Sequence, residues 1–175
     1  MLADHGPHGH RRDPRTETQR LSPDPRPDRR ETERGLGAPK GGTAMTDTIR
    51  RYFDAFNAGD IEGMLACLSD DVAHHVNEGQ VRRGKDAFRA FCDHMNRCYR
   101  EELTDMVIFD AQGGTRAAAE YIVNGTYLET DDGLPEAGGQ TYRLPAGSFF
   151  SLEDGRITRV VTYYNLADWI AQVRA

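Results

Sequence analysis

The chain has no apolar run approaching the roughly 20 residues that a membrane-spanning helix needs. It has no zinc-ligand spacing among its 3 cysteines, and it carries a single tryptophan, Trp169. The missing apolar run argues against a membrane-spanning helix. Cys67, Cys92 and Cys98 are an odd set on predicted helices, so buried free thiols in a reducing compartment are expected, and a cytoplasmic setting with them. The first 44 residues contain no aromatic residue, yet they hold 6 of the 8 prolines and 9 basic against 7 acidic side chains. Such a segment buries too little apolar surface to offset the entropy of ordering it, and disorder is expected over residues 1–44. Without an apolar core it is no secretory signal, and Arg mixed with Asp and Glu is unlike a transit peptide. His5, His8 and His10 offer weak metal ligands there, but solvated side chains are the better expectation. Met45 follows directly, consistent with the tail being an upstream start.

Positive charge is also scarce in the remainder. Residues 45–175 hold 13 basic and 21 acidic residues, a balance that disfavours nucleic acid or an anionic membrane as a partner. Their length suits one domain.

What is present begins with IRRYFDAFNAGDIEGMLACLSDDV, from Ile49 to Val72. Ile49, Tyr52, Phe53 and Phe56 recur at helical spacing, as do Ile61, Met64, Leu65 and Leu68. Gly59 suits a left-handed helix end, and Asp60 suits the cap of the next helix. Tyr52 places a hydroxyl on an apolar face, so it is either a satisfied core tyrosine or a polar group aimed into a cavity. Val72 to Asn77 reads as a short strand in which His74 and His75 point to opposite faces, with His74 inward beside Val72 and Val76.

Gly84 opens a third helix whose apolar stripe runs from Phe88 through Tyr99. From Leu103 the pattern turns to strands. LTDMVIFD leads through a Gln112–Thr115 turn into Ala117–Leu128, whose odd positions Tyr121, Val123 and Tyr127 are the apolar face. Residues 129–139 form an acidic loop without calcium-loop spacing, so no metal is expected to be held there. QTYRLPAGSFFSL and RITRVVTYY supply two more strands, and Asn165 starts a last helix carrying Leu166, Trp169, Ile170 and Val173. Three helices, a four-stranded antiparallel meander and a closing helix make an α+β order. A strongly curved sheet wrapped around the third helix would leave a cavity at its wide end.

The pattern RYFDAFNAGDIEGMLACLSDDV, a third helix initiated by Gly-Lys, and the ending DGRITRVVTYYNLADW together resemble the ketosteroid isomerase-like, SnoaL-like (nuclear transport factor 2-like) superfamily over residues 46–173. GTYLETDDGLPEAGGQTYRLPAGSFF is most similar to bacterial ketosteroid isomerase-related proteins. The resemblance implies a cone-shaped barrel, its mostly antiparallel, strongly curved sheet wrapped around helices. It also implies a homodimer through the outer sheet face and no cofactor. Tyr52 matches the position of the tyrosine that serves the oxyanion hole in true isomerases. The position of their base is Val76, and where a protonated Asp is expected the chain reads Pro145-Ala146-Gly147. The Arg-Asp-Asp set of the limonene epoxide hydrolases falls on Tyr121, Val123 and Thr162.

The same resemblance assigns the cavity lining. From the first helix and first strand come Tyr52, His74 and Val76; from the meander come Tyr121, Val123, Leu144, Ala146 and Ser148; from the chain's end come Thr162, Tyr164 and Trp169. An imidazole is then the group that titrates near neutrality. His74 is the candidate general base or acid and Tyr52 the candidate oxyanion donor; otherwise His74 is a core histidine bonded to a tyrosine hydroxyl. Two function classes follow. One is a cofactor-free proton-transfer enzyme of isomerase, cyclase or lyase type on an apolar, carbonyl-bearing or polycyclic substrate. The other is a non-catalytic binder of a small hydrophobic metabolite. A third, a protein-interaction scaffold, requires a cavity filled by side chains.

Overall fold

The computed structural model describes residues 40–77, 79–111 and 113–174, all within one compact unit, Ala38–Ala175. In chain order these form α1 (Lys40–Asn57), α2 (Ile61–Ala66), β1 (Leu68–Val76), β2 (Arg82–Arg83), α3 (Lys85–Cys98), β3 (Tyr99–Asp110), β4 (Arg116–Tyr127), β5 (Thr141–Glu153), β6 (Arg156–Tyr164) and α4 (Leu166–Val173). The strands make one six-stranded sheet in the order β2-β1-β6-β5-β4-β3. All neighbours are antiparallel except β1 and β6, which run parallel. The α+β architecture with a curved, mostly antiparallel sheet is the one expected. The strand count is higher because β1 returns beside β6 and β2 extends it.

Two boundaries and one burial that bear on the site differ from the sequence reading. α1 begins at Lys40, inside the segment expected to be disordered, and Met45 is buried within the helix. The apolar stripe of Ile49, Tyr52 and Phe53 extends back to Met45, which gives that extra turn a face to bury. The rest of the expected disordered segment, with His5, His8 and His10, lies outside the described residues. β3 begins at Tyr99, whose backbone is extended at φ −138°, ψ 146°. Leu166, expected on the buried stripe of α4, is exposed, while Trp169 and Val173 are buried.

The corner between α1 and α2 forms as its residues dictate. Gly59 takes φ +67°, and Asp60 accepts a 2.9 Å bond from Gly63 N. Asn57 at the end of α1 grips β3 by both backbone groups of Leu103. It donates to the carbonyl at 2.9 Å and accepts from the amide at 2.9 Å. β3 then bulges between Thr104 and Val107, where Asp105 adopts φ +53°, and bulges also interrupt β1 and the β5–β6 ladder. Bulges bend strands and tighten twist. Both α1 and α3 pack against the sheet, α1 on β3 and β6 and α3 on β1, β2 and β3, so the third helix does not fill the curve alone.

The core follows strand parity. Along β4 the odd residues from Ala117 to Tyr127 are buried, facing Tyr142, Leu144, Ser148 and Phe150 of β5. On the opposite face Val107, Phe109, Phe149 and Tyr163 are exposed. No described helix is long and apolar enough to cross a membrane.

Candidate functional site

His74 emerges from the middle of β1, with Val160 of β6 as its Cα partner on one side and Arg82 of β2 on the other. The parity argument holds: His74 is 3% exposed, whereas His75 points the other way and is half-buried. Phe88 and Phe91 of α3 wall the imidazole, with ring centroids 5.0 Å and 4.5 Å away. Nδ1 of His74 is buried without a partner, and no hydrogen bond satisfies the ring among the described residues. The bonded core histidine, tied to a tyrosine hydroxyl, is therefore not what the fold builds. Burial first, then the positive charge of Arg82 and the neighbouring His75, push the pKa of His74 down from 6.5 to about 4. At neutral pH the ring is uncharged, with a free nitrogen.

Tyr52 lies within ring contact of the same Phe88, at 6.3 Å, and packs edge-on against Phe53 at 5.4 Å and Phe150 at 6.0 Å. Burial is the main reason its pKa stands well above 10, helped by Cys92, Tyr121 and Cys67. The hydroxyl stays protonated, a donor with no hydrogen-bond partner among the described residues. Phe88 thus touches both the unpaired imidazole and the unpaired phenol.

The remaining sequence-predicted residues divide into two groups. Val76, Thr162, Ser148 and Ala119 are successive cross-strand partners, and Tyr121, Ala146 and Tyr164 form the next row. Here Tyr121 Oη and Ser148 Oγ are 2.8 Å apart, and Ser148 Oγ and Thr162 Oγ1 are 2.8 Å apart, a hydroxyl chain crossing three strands. Phe53 carries the contact from Tyr121 back toward α1, at 5.3 Å between centroids. Val123, Leu144 and Trp169 lie elsewhere. Val123 and Leu144 are paired core residues beside Leu103, and Trp169 packs on Tyr127 at 5.0 Å, Tyr142 at 5.7 Å and Tyr99 at 6.0 Å.

Sequence reasoning missed three polar groups. Arg82 was hidden because β2 is two residues long; only its pairing with His74 reveals the face it shares. Glu101 escaped because Tyr99 was counted into the third helix, so the parity of β3 started in the wrong place. Glu101 accepts a 2.6 Å bond from the Tyr142 hydroxyl, and burial pushes its carboxyl pKa up. The third is His94 on α3, whose Nε2 is 3.0 Å from Asp131 Oδ2 in the acidic loop. Burial works to raise the Asp131 pKa, but the bonds from His94 and Tyr99 bring it below its ordinary value. Cys98 Sγ lies 4.0 Å from the same Nε2, which completes a three-donor cluster. The cluster suits hydrogen bonding better than a metal. Arg97 donates toward His94 Nδ1 at 3.1 Å, which leaves the ring proton on Nε2, aimed at Asp131.

Two depressions lie outside the sheet's packed face. One, of about 660 Å³, includes Glu120, Ile122, Arg143, Pro145 and Tyr163 on the outer face. The other, of about 470 Å³, runs along α1 beside Asp47, Arg50 and Asp54.

The SnoaL-like domain family matches residues 49–160, and the chain belongs to it. No curated protein matches the sequence. Among solved structures, the chain is similar to a candidate polyketide cyclase from Silicibacter sp. TM1040. The two are 73% identical over 76% of this chain and 97% of that one, with a TM-score of 0.74. A candidate polyketide cyclase from Xanthomonas campestris pv. campestris is 51% identical over 76% of this chain and 98% of that one, also at TM-score 0.74. A SnoaL-like protein from Jannaschia sp. CCS1, at 18% identity and TM-score 0.68, shares the fold; it covers 81% of this chain and 99% of that one. Relatives of this chain are thus named as candidate polyketide cyclases.

Proposed function

We propose that this protein is a cytoplasmic, cofactor-free proton-transfer enzyme of the cyclase or isomerase type, acting on an apolar, carbonyl-bearing or polycyclic substrate. The observation that carries it is the unpaired, neutral imidazole of His74 between the Phe88 and Phe91 rings. A neutral imidazole accepts a proton; a charged one does not. His74 takes the proton from a carbon next to the carbonyl, the C–H pair becomes the enolate, and the Tyr52 hydroxyl donates to the developing oxygen. The imidazolium then returns the proton to carbon. The balance closes without oxidant or cofactor. Val76, Tyr121, Ala146, Ser148, Thr162 and Tyr164 form the neighbouring substrate surface in this reading. Cyclase names among relatives as similar as 73% support the reaction class. The exposed Val107, Phe109, Phe149 and Tyr163 support a homodimer through the outer sheet face.

The test is solvent exchange: 2-tetralone in D₂O, followed by NMR. Exchange at the carbon next to the carbonyl, accelerated by the wild type and lost in His74→Ala with the fold intact, supports the reading. Equal acceleration by both proteins sinks it. A second reading, a binder without turnover, draws on the apolar Phe88 and Phe91 rings beside His74; it predicts saturable tetralone binding with no exchange.

A further inference from the structure

Arg82 is the charged neighbour that the proton-transfer reading leaves unused. It is the Cα partner of His74 across β1 and β2, so the two side chains leave the same face of the sheet. Its guanidinium carbon sits 4.5 Å from the centre of the Phe91 ring, and that ring is 4.5 Å from the imidazole. Nη1 of Arg82 is buried without an acceptor, and beside it Nδ1 of His74 is buried without a partner. A guanidinium carries its charge at any physiological pH and only donates. Leaving such a donor buried and unpaired costs more than leaving a neutral one. Arg89, Arg97 and Arg143 find carboxylates in Glu62, Glu129 and Asp105, and among the described arginines Arg82 alone has a buried nitrogen without an acceptor.

We propose that Arg82 and His74 form an anion subsite for a planar small molecule bearing a carboxylate. Arg82 holds the carboxylate through its planar fork, and the Phe88 and Phe91 rings cover the attached apolar body. A carboxylate fits better than a phosphate. One guanidinium matches one negative charge, and a dianion would leave a second charge uncompensated among aromatic rings. Contact with Phe91 holds the guanidinium in place in advance, which reduces the ordering cost of binding. The subsite rests on the preceding reading in one respect: the space beside His74 admits a small molecule. It then narrows the substrate class to acids whose reacting carbon lies near the carboxylate, within reach of the imidazole.

Calorimetry with 2-naphthoate and its neutral analogue 2-naphthamide tests this, with the His74 imidazole followed by ¹⁵N NMR. The expected result is a preference for naphthoate of about 10-fold or more, with the His74 resonances moving as naphthoate saturates. Arg82→Gln should erase the preference and Arg82→Lys should keep part of it, each variant melting as the wild type does. Equal affinity for the two probes, no binding of naphthoate, or a preference that survives Arg82→Gln overturns the subsite. Turnover is not read, so loss of exchange in the tetralone assay with the naphthoate preference intact strikes only the proton-transfer reading.

Discussion

The ring of Tyr142 lies across Gly125 on the adjacent strand. A Cβ added at Gly125 would collide with Cζ, Cε2 and the hydroxyl of that ring. The two residues are Cα partners between β4 and β5, and the bare glycine lets the phenol cross β4 to reach Glu101 on β3. Gly125→Ala must therefore displace a buried tyrosine and break its hydrogen bond. Overpacking of this kind costs about 1–3 kcal/mol, and the lost bond adds to it. Urea denaturation should show the variant less stable by about 2 kcal/mol or more; an unchanged midpoint would mean that the ring has room to swing aside.

Glu101 itself gives a prediction about pH. Burial raises its carboxyl pKa above the usual 4.5, so the folded protein binds this proton more tightly than the unfolded chain does. The stability it contributes is fully present below pH 4.5 and is lost as pH rises through the raised value. Glu101→Gln keeps an oxygen for the Tyr142 hydroxyl and carries no charge. The variant's stability relative to wild type should rise as pH is raised from 4 to 7, measured by urea midpoints across that range. A difference independent of pH would show that Glu101 titrates as an exposed carboxylate does.

How much of this was legible in the sequence depended on where local rules stop. The helical corner of Asn57 to Asp60, the opposite facing of His74 and His75 and the odd face of β4 follow from spacing and parity, and the fold bears them out. The family was legible too, because RYFDAFNAGDIEGMLACLSDDV combines two amphipathic helices with a glycine corner. What stayed hidden needed pairing information. Arg82 and His74 are 8 positions apart and meet only because a two-residue strand folds back, too short to show alternation. Glu101 needed the true start of β3, and Tyr99 at that start is as apolar as the helix before it. Leu166 is apolar yet exposed, which apolar spacing alone does not reveal.

His74 predicts the opposite pH dependence from Glu101. Its folded pKa of about 4 lies below the unfolded value of 6.5, so stability from this site is present above pH 6.5 and is lost as pH falls toward 4. The full span corresponds to ~3 kcal/mol. His74→Asn cannot titrate and escapes that loss. Between pH 7 and pH 4.5 the wild type should weaken relative to the variant, with the variant's own cost visible at pH 7 as a constant offset. Arg82 and His75 set the depression after burial, so Arg82→Gln should move the imidazole pKa back upward in an NMR titration. An imidazole titrating near 6.5 in the wild type would contradict both statements.

The hydroxyl chain from Tyr121 through Ser148 to Thr162 is tied together at its middle. Ser148 is 2% exposed and lies 2.8 Å from each of its two neighbours, so Ser148→Ala removes one hydroxyl and leaves two others short of a partner. An unsatisfied buried hydroxyl costs about 1–3 kcal/mol. Tyr121→Phe removes the deeper of the two stranded groups. The double variant should then lose less stability than the two single losses added together, with a coupling of about 0.5–3 kcal/mol. A merely packed serine gives additive losses. The same cycle read through tetralone exchange separates structure from chemistry. If the chain only holds β4, β5 and β6 in register, exchange follows folded protein and stays near wild type in every variant that folds. If Tyr121 also helps orient the substrate, Tyr121→Phe slows exchange, and Ser148→Ala, which keeps the phenol but leaves it free to turn, slows it less.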